Sequence, residues 1–188
     1  MQFSLMLYTA STWVLPVLIA VTLHETAHGF VAPLLGDNTA YRQGRVTLNP
    51  LKHIDPFGTI LLPAILLLLR SPVLFGYAKP VPVNFGALRH PRRDMVLVAA
   101  AGPGMNTVLA TVAALLLHIV SYLPPGSASW VAQNLQNALI INVVMAIFNM
   151  LPLPPLDGGR VAVDLLPNFL AEPLARLEPY DPWCKLGH

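Results

Sequence analysis

Two imidazoles and a carboxylate are clustered in Leu23-His24-Glu25-Thr26-Ala27-His28. On a helix, His24 and His28 share one face and can bind a single divalent metal, with Glu25 beside them as a candidate general base. The chemistry of such a group is attack by a metal-activated water. The competing reading is a pair of core histidines satisfied by neighbouring helices. However, these residues interrupt a long apolar stretch, and ionisable side chains at membrane depth usually face a cavity and mark a site.

A catalytic zinc uses three protein ligands and keeps a fourth position for water, so two histidines leave it one short. The single cysteine, Cys184, excludes a multi-cysteine site and an intramolecular disulfide, which leaves His, Asp or Glu. Asp157 is the candidate. It follows Asn149-Met150-Leu151-Pro152-Leu153-Pro154-Pro155-Leu156 and precedes Gly158-Gly159. The prolines break a helix and the glycines allow close backbone approach, which together aim a carboxylate inward. An interfacial turn or a helix cap accounts for Asp157 equally well at this level. Asn106, Asn142 and Asn149 lie on apolar stretches, each readable as an interhelical hydrogen bond or as a substrate or oxyanion contact. His53, His90, His118 and His188 are scattered and are expected to be non-ligands. Ser127 and Ser129 have no paired base, so a serine nucleophile is not expected.

The elements that must position these groups are membrane spans. The 188 residues are 55% hydrophobic and 11% charged, with a mean hydropathy of +0.60, where a soluble domain carries roughly one-quarter charged residues. Residues Phe3 to Leu35, Met95 to Leu123 and Val131 to Leu151 are long enough to cross a bilayer. Phe57 to Leu69 is shorter, contains Pro63 and reads as a re-entrant segment. Tyr41 to Pro50 reads as short strand or turn structure at the interface, and Gly76 to Phe85 reads as extended, since each proline disfavours helix for its predecessor. If Phe57 to Leu69 crossed the membrane, Arg42, Arg45 and Lys52 would be separated from the other basic residues; if it re-enters, all eleven Lys and Arg share one side. The positive-inside rule favours the second arrangement and a site near the cytoplasmic side.

The expectation is therefore an all-α integral membrane fold of three transmembrane helices, a re-entrant hydrophobic segment and a short extended/β element, with four transmembrane helices as the alternative. One membrane-embedded domain spans 1–188: helix 1–35, interfacial loop and re-entrant segment 36–93, middle span 94–123, last span 131–160 and cytoplasmic tail 161–188. The N-terminus has no positive n-region and is not expected to be a signal peptide. No basic run is long enough to suggest nucleic acid.

These residues resemble the site-2 protease family of intramembrane zinc metalloproteases in its compact prokaryotic form. The resemblance covers most of the chain. It rests on Thr22 through His28, Gly44 through Pro56, Ala78 through Asn84, Ala101-Gly102-Pro103 with Asn106, and Asn149 through Gly158. It implies one Zn2+ held by His24, His28 and Asp157, with Glu25 as catalytic carboxylate and Asn106 and Asn149 close to the cleft. It also implies that the proline-rich stretch with Lys79, Val81 and Val83 helps hold an unwound substrate. The implied activity is endopeptidase cleavage within or near transmembrane segments of protein substrates, in a prokaryotic plasma (inner) membrane. Relatives continue beyond Leu177-Glu178-Pro179-Tyr180 into a further hydrophobic helix, so a closing helix is expected to be absent here. The rival classes are a transporter or proton relay using the same His/Asp cluster, and a proteolytically inactive relative. Transporters usually show internal repeats, and none is visible.

Overall fold

The computed structural model describes residues 2–61, 65, 68–69 and 78–175. Its described helices are α1 (Gln2–Leu34), α2 (Thr39–Arg42), α3 (Pro91–Leu117), α4 (Pro125–Asn149), α5 (Asp157–Leu165) and α6 (Asn168–Ala175), with short 3-10 and π turns between them. Among the described residues, three helices are long and apolar enough to cross a membrane, and they are α1, α3 and α4. These pack against one another, and α5 lies against α3.

Local groups set the end of α1 and the starts of α3 and α4. Gly36, at φ 115°, closes α1: Asp37 N–H reaches back to Ala32 O and Gly36 N–H to Pro33 O, the pattern of a glycine C-cap. Asp37 is fully buried, and its carboxylate accepts from Thr39 N–H at 2.8 Å and from Asn84 N–H at 2.6 Å. The end of α1 is thereby tied to the chain entering α3. Pro91 occupies the first turn of α3, where its missing N–H costs nothing, and Asp94 accepts from His90 N–H at 2.7 Å. That bond starts α3 four residues before the apolar run at Met95. In the same way Pro125 occupies the first turn of α4, with Pro124 as its N-cap.

The packed core is small, as expected where lipid covers the outside. Ala32, Leu88, Met95 and Val98 form its centre, with Val31, Leu35 and Val83 against them. Leu5, Met6, Leu7, Val108, Leu115, Val144 and Ile147 project outward and are exposed. In a bilayer these side chains meet acyl chains at no hydrophobic cost.

The expected extended/β element is not there: among the described residues there is no β-strand. Residues 41–50 contain the end of α2 and turns through Gly44. Residues 78–84 run irregularly across α1, and their hydrogen bonds show why no ladder forms. Lys79 N–H goes to His53 O, Val81 N–H to the Glu25 carboxylate and Asn84 N–H to Asp37, while Pro80 and Pro82 have no N–H to give. A strand needs a neighbouring strand to pair with, and these three donors go to three separate partners instead. Arg45 fastens it further, its guanidinium donating to Lys79 O, Pro80 O and Lys52 O. Pro56–Leu61 forms a π turn. The remainder of the expected re-entrant segment is for the most part outside the described residues. So are Gly76, Tyr77 and everything from 176 onward, including the stretch where a closing helix was expected to be missing.

Candidate metal centre

Two to three turns before its end, α1 carries His24 and His28 on the side facing α3 and α5, as their four-residue spacing requires, with Glu25 next to them on the cavity. Both imidazoles are buried, at 4% and 7% exposure. Room for them comes from Gly102 of α3, where a Cβ would lie 2.4 Å from His28 Nε2 and 2.7 Å from His24 Nε2. Small residues on apolar helices ordinarily serve close helix packing; at Gly102 the missing side chain is the space the imidazoles occupy.

Asp157 arrives from the other end of the chain, and by a different route than a span ending in it. Helix α4 stops at Asn149, the prolines at 152, 154 and 155 turn the chain back, and Asp157 opens the separate helix α5. Gly158 and Gly159 make the reversal fit. A Cβ at Gly158 would be 2.3 Å from Met150 C and O, and one at Gly159 would be 2.4 Å from Pro154 N. A carboxylate in a first helical turn is also favoured by the helix dipole.

The three side chains converge. Asp157 Oδ2 is 3.2 Å from His24 Nε2 and 3.3 Å from His28 Nε2, and the two Nε2 atoms are 3.2 Å apart. Each imidazole gives its Nδ1 hydrogen elsewhere: His28 to Val98 O at 2.7 Å and His24 to Asn106 Oδ1 at 2.5 Å. Both Nε2 atoms are then lone pairs, and Asp157 Oδ2 is a buried acceptor without a hydrogen-bond donor. Three acceptors face one point. A proton would serve one pair and leave the third atom opposed; a divalent ion serves all three. A tetrahedral ion with bonds of about 2.0 Å sets its ligand atoms about 3.3 Å apart, which these spacings match. Among the described residues this is the group of His, Asp and Glu able to hold a metal.

Glu25 sits beside the cluster with one carboxylate oxygen accepting from Val81 N–H at 2.9 Å. A cavity reaches all of these groups, walled by Pro80, Val81 and Val83, by Met95, Val98 and Ala99 of α3, and by Asn149, Pro155 and Arg160. Of the other residues singled out from sequence, Asn149 lines this cavity. Asn106 is fully buried, with Oδ1 on His24 and Nδ2 on Asn142 Oδ1 at 2.7 Å. The Lys79 side chain is exposed, and its backbone is what meets the rest of the protein. His53 is buried with Nε2 donating to Thr47 O at 2.9 Å. Sequence reasoning missed the Val98 carbonyl and the Val81 amide, since backbone groups carry no signature. It also missed Arg160, which follows Asp157 by one turn.

Asp164, further along α5, has its carboxyl pushed up to about 6 by burial, against a smaller opposing pull from Arg92 and Arg160. The folded protein therefore holds this proton more tightly than the unfolded chain, whose ordinary value is 3.8. Stability associated with Asp164 is full below about pH 4 and is lost as pH rises through about 6. Asp164→Asn should accordingly raise the melting temperature relative to wild type at about pH 8 and give no such gain at about pH 4, as thermal unfolding in detergent would show.

Residues 125–177 match peptidase family M50. The chain is 40% identical over 171 residues to YwhC of Bacillus subtilis strain 168, whose provisional name is zinc metalloprotease. That match covers 89% of this chain and 74% of YwhC. It is 30% identical over 168 residues to Rip2 of Mycolicibacterium smegmatis, covering 88% of this chain and 60% of that protein. With Rip2 of Mycobacterium tuberculosis H37Rv it shares 32% over 143 residues, 75% of this chain and 52% of the relative. Both carry the same provisional zinc metalloprotease name. No solved structure matches.

Proposed function

The chain belongs to peptidase family M50, and from that premise we infer that it is an intramembrane zinc-dependent endopeptidase acting on membrane-protein substrates. The observation that carries this is the meeting of His24, His28 and Asp157, drawn from two distant segments, as three buried acceptors around one point.

His24, His28 and Asp157 would hold a single Zn2+, and Asn149 and Arg160 would border the substrate. Bound there, the ion supplies an acidified water, with a pKa towards about 7, and polarises the scissile carbonyl. Glu25 takes the proton from the attacking water and returns it to the leaving amine, so that its carboxylate ends the cycle as it began. The Val81 N–H holds one Glu25 oxygen and leaves the other for that transfer. A substrate helix hides its carbonyls in hydrogen bonds, so the scissile residues must unwind to reach the cavity. The walls of Val81 and Val83 on one side and Met95, Val98 and Ala99 on the other suit apolar side chains on either side of the cut. With all basic residues on one side by the positive-inside rule, the site lies towards the cytoplasmic face of a prokaryotic plasma membrane.

The test is cleavage of a transmembrane reporter by the purified protein in liposomes. Cleavage should stop on treatment with a zinc chelator and return when zinc is restored. Cleavage indifferent to the chelator would contradict the metal-dependent reading. A proton relay using the same residues predicts no cleavage at all.

A further inference from the structure

Asn142 lies on α4, is 2% exposed and does not border the cavity. Its Nδ2 donates to Ala138 O at 2.8 Å. A backbone carbonyl only accepts, so this bond fixes which end of the Asn142 amide is which. The Asn142 Oδ1 then faces Asn106 and must receive a hydrogen from Asn106 Nδ2, 2.7 Å away. The same Nδ2 lies 4.0 Å from Met145 Sδ, a second acceptor. Asn106 Oδ1 is thereby left facing His24 Nδ1, which must carry the proton. Each orientation dictates the next, from a main-chain carbonyl on one helix to an imidazole on another.

We propose that Asn142 is a positioning residue of the metal centre: acting through Asn106, it sets the tautomer of His24 that turns a bare Nε2 towards the ion. This rests on the metal reading above. His28 needs no such device, because Val98 O fixes its Nδ1–H directly. Without Asn142 the Asn106 Nδ2 keeps only the long contact to Met145 Sδ, a weak acceptor, so the amide can turn over and present its NH2 to His24 Nδ1. The proton would then sit on Nε2, inside the cluster, where it competes with the metal.

The experiment is a zinc dissociation constant, by competition with a chromogenic chelator, on the full-length chain in detergent. Asn142→Leu fills the space without hydrogen-bonding and is expected to weaken zinc roughly 10- to 100-fold. Asn142→Ala, which removes the same bonds without added bulk, should do the same. Asn142→Asp should restore affinity to within about threefold of wild type, since a neutral acid offers a hydroxyl to Ala138 O and a carbonyl oxygen to Asn106. In an Asn106→Asp background either carboxylate oxygen can accept from His24, so adding Asn142→Leu should cost no further affinity. Wild-type affinity in Asn142→Leu and Asn142→Ala, or an equal loss with and without Asn106→Asp, overturns the proposal, the latter because it marks a packing effect. A wild-type chain that binds no zinc sinks the metal reading itself.

Discussion

Glu25→Gln should slow cleavage of a transmembrane reporter by roughly a thousandfold while leaving the metal site filled. The substitution is close to isosteric, and the new amide oxygen can still accept from Val81 N–H, which now holds Glu25 at 2.9 Å. The side chain should therefore stay in place. What it loses is the ability to take a proton from water. None of the three convergent ligand atoms belongs to Glu25, so metal content should match wild type. Rates of the two proteins in liposomes, read beside their zinc content, separate a lost base from a lost metal. Equal rates would remove Glu25 from the mechanism.

Gly102→Ala should do the opposite, emptying the site and with it the activity. The added methyl would stand 2.4 Å from His28 Nε2, 2.6 Å from His24 Cε1 and 2.7 Å from His24 Nε2, on the edges the imidazoles present to an ion. Accommodation requires α3 to back away or the rings to turn, and either breaks the Nδ1 bonds to Val98 O and Asn106 that orient them. Ligand atoms displaced by even about 1 Å leave a metal site too loose, so zinc affinity should fall by roughly 100-fold or more. Gly104→Ala is the control two residues away: nothing lies within 4 Å of its added Cβ, and both affinity and activity should be unchanged. Retained affinity in Gly102→Ala would mean that the rings have more freedom than their hydrogen bonds suggest.

The His24, His28 and Asp157 cluster is legible in the sequence because the physics is local. Two histidines four apart on a helix must share a face, and a carboxylate among prolines and glycines announces a chain reversal that can aim it. Long apolar stretches likewise declare α1, α3 and α4, though the starts of α3 and α4 are set by Pro91 with Asp94 and by Pro125, ahead of where hydrophobicity begins. The strand expected near Val81 fails for an instructive reason. Alternate prolines forbid helix, yet whether the other N–H groups find a neighbouring strand or scattered partners is decided by tertiary contact, and here the Glu25 and Asp37 carboxylates and the His53 carbonyl take those of Val81, Asn84 and Lys79. The same limit hides the role of Gly102, whose neighbours come from a helix more than seventy residues earlier in the chain. Asn142 and Asn106 are visible as polar residues on apolar helices, but only the Ala138 carbonyl gives their hydrogen bonds a direction.

Zinc content of gently purified protein, wild type beside Asp157→Ala, bears most directly on the proposal that α1 and α5 jointly hold one ion. The expected result is about one zinc per wild-type chain and little or none in the variant, where two histidines alone remain. A wild type free of zinc, or an Asp157→Ala protein that keeps its full complement, would contradict it.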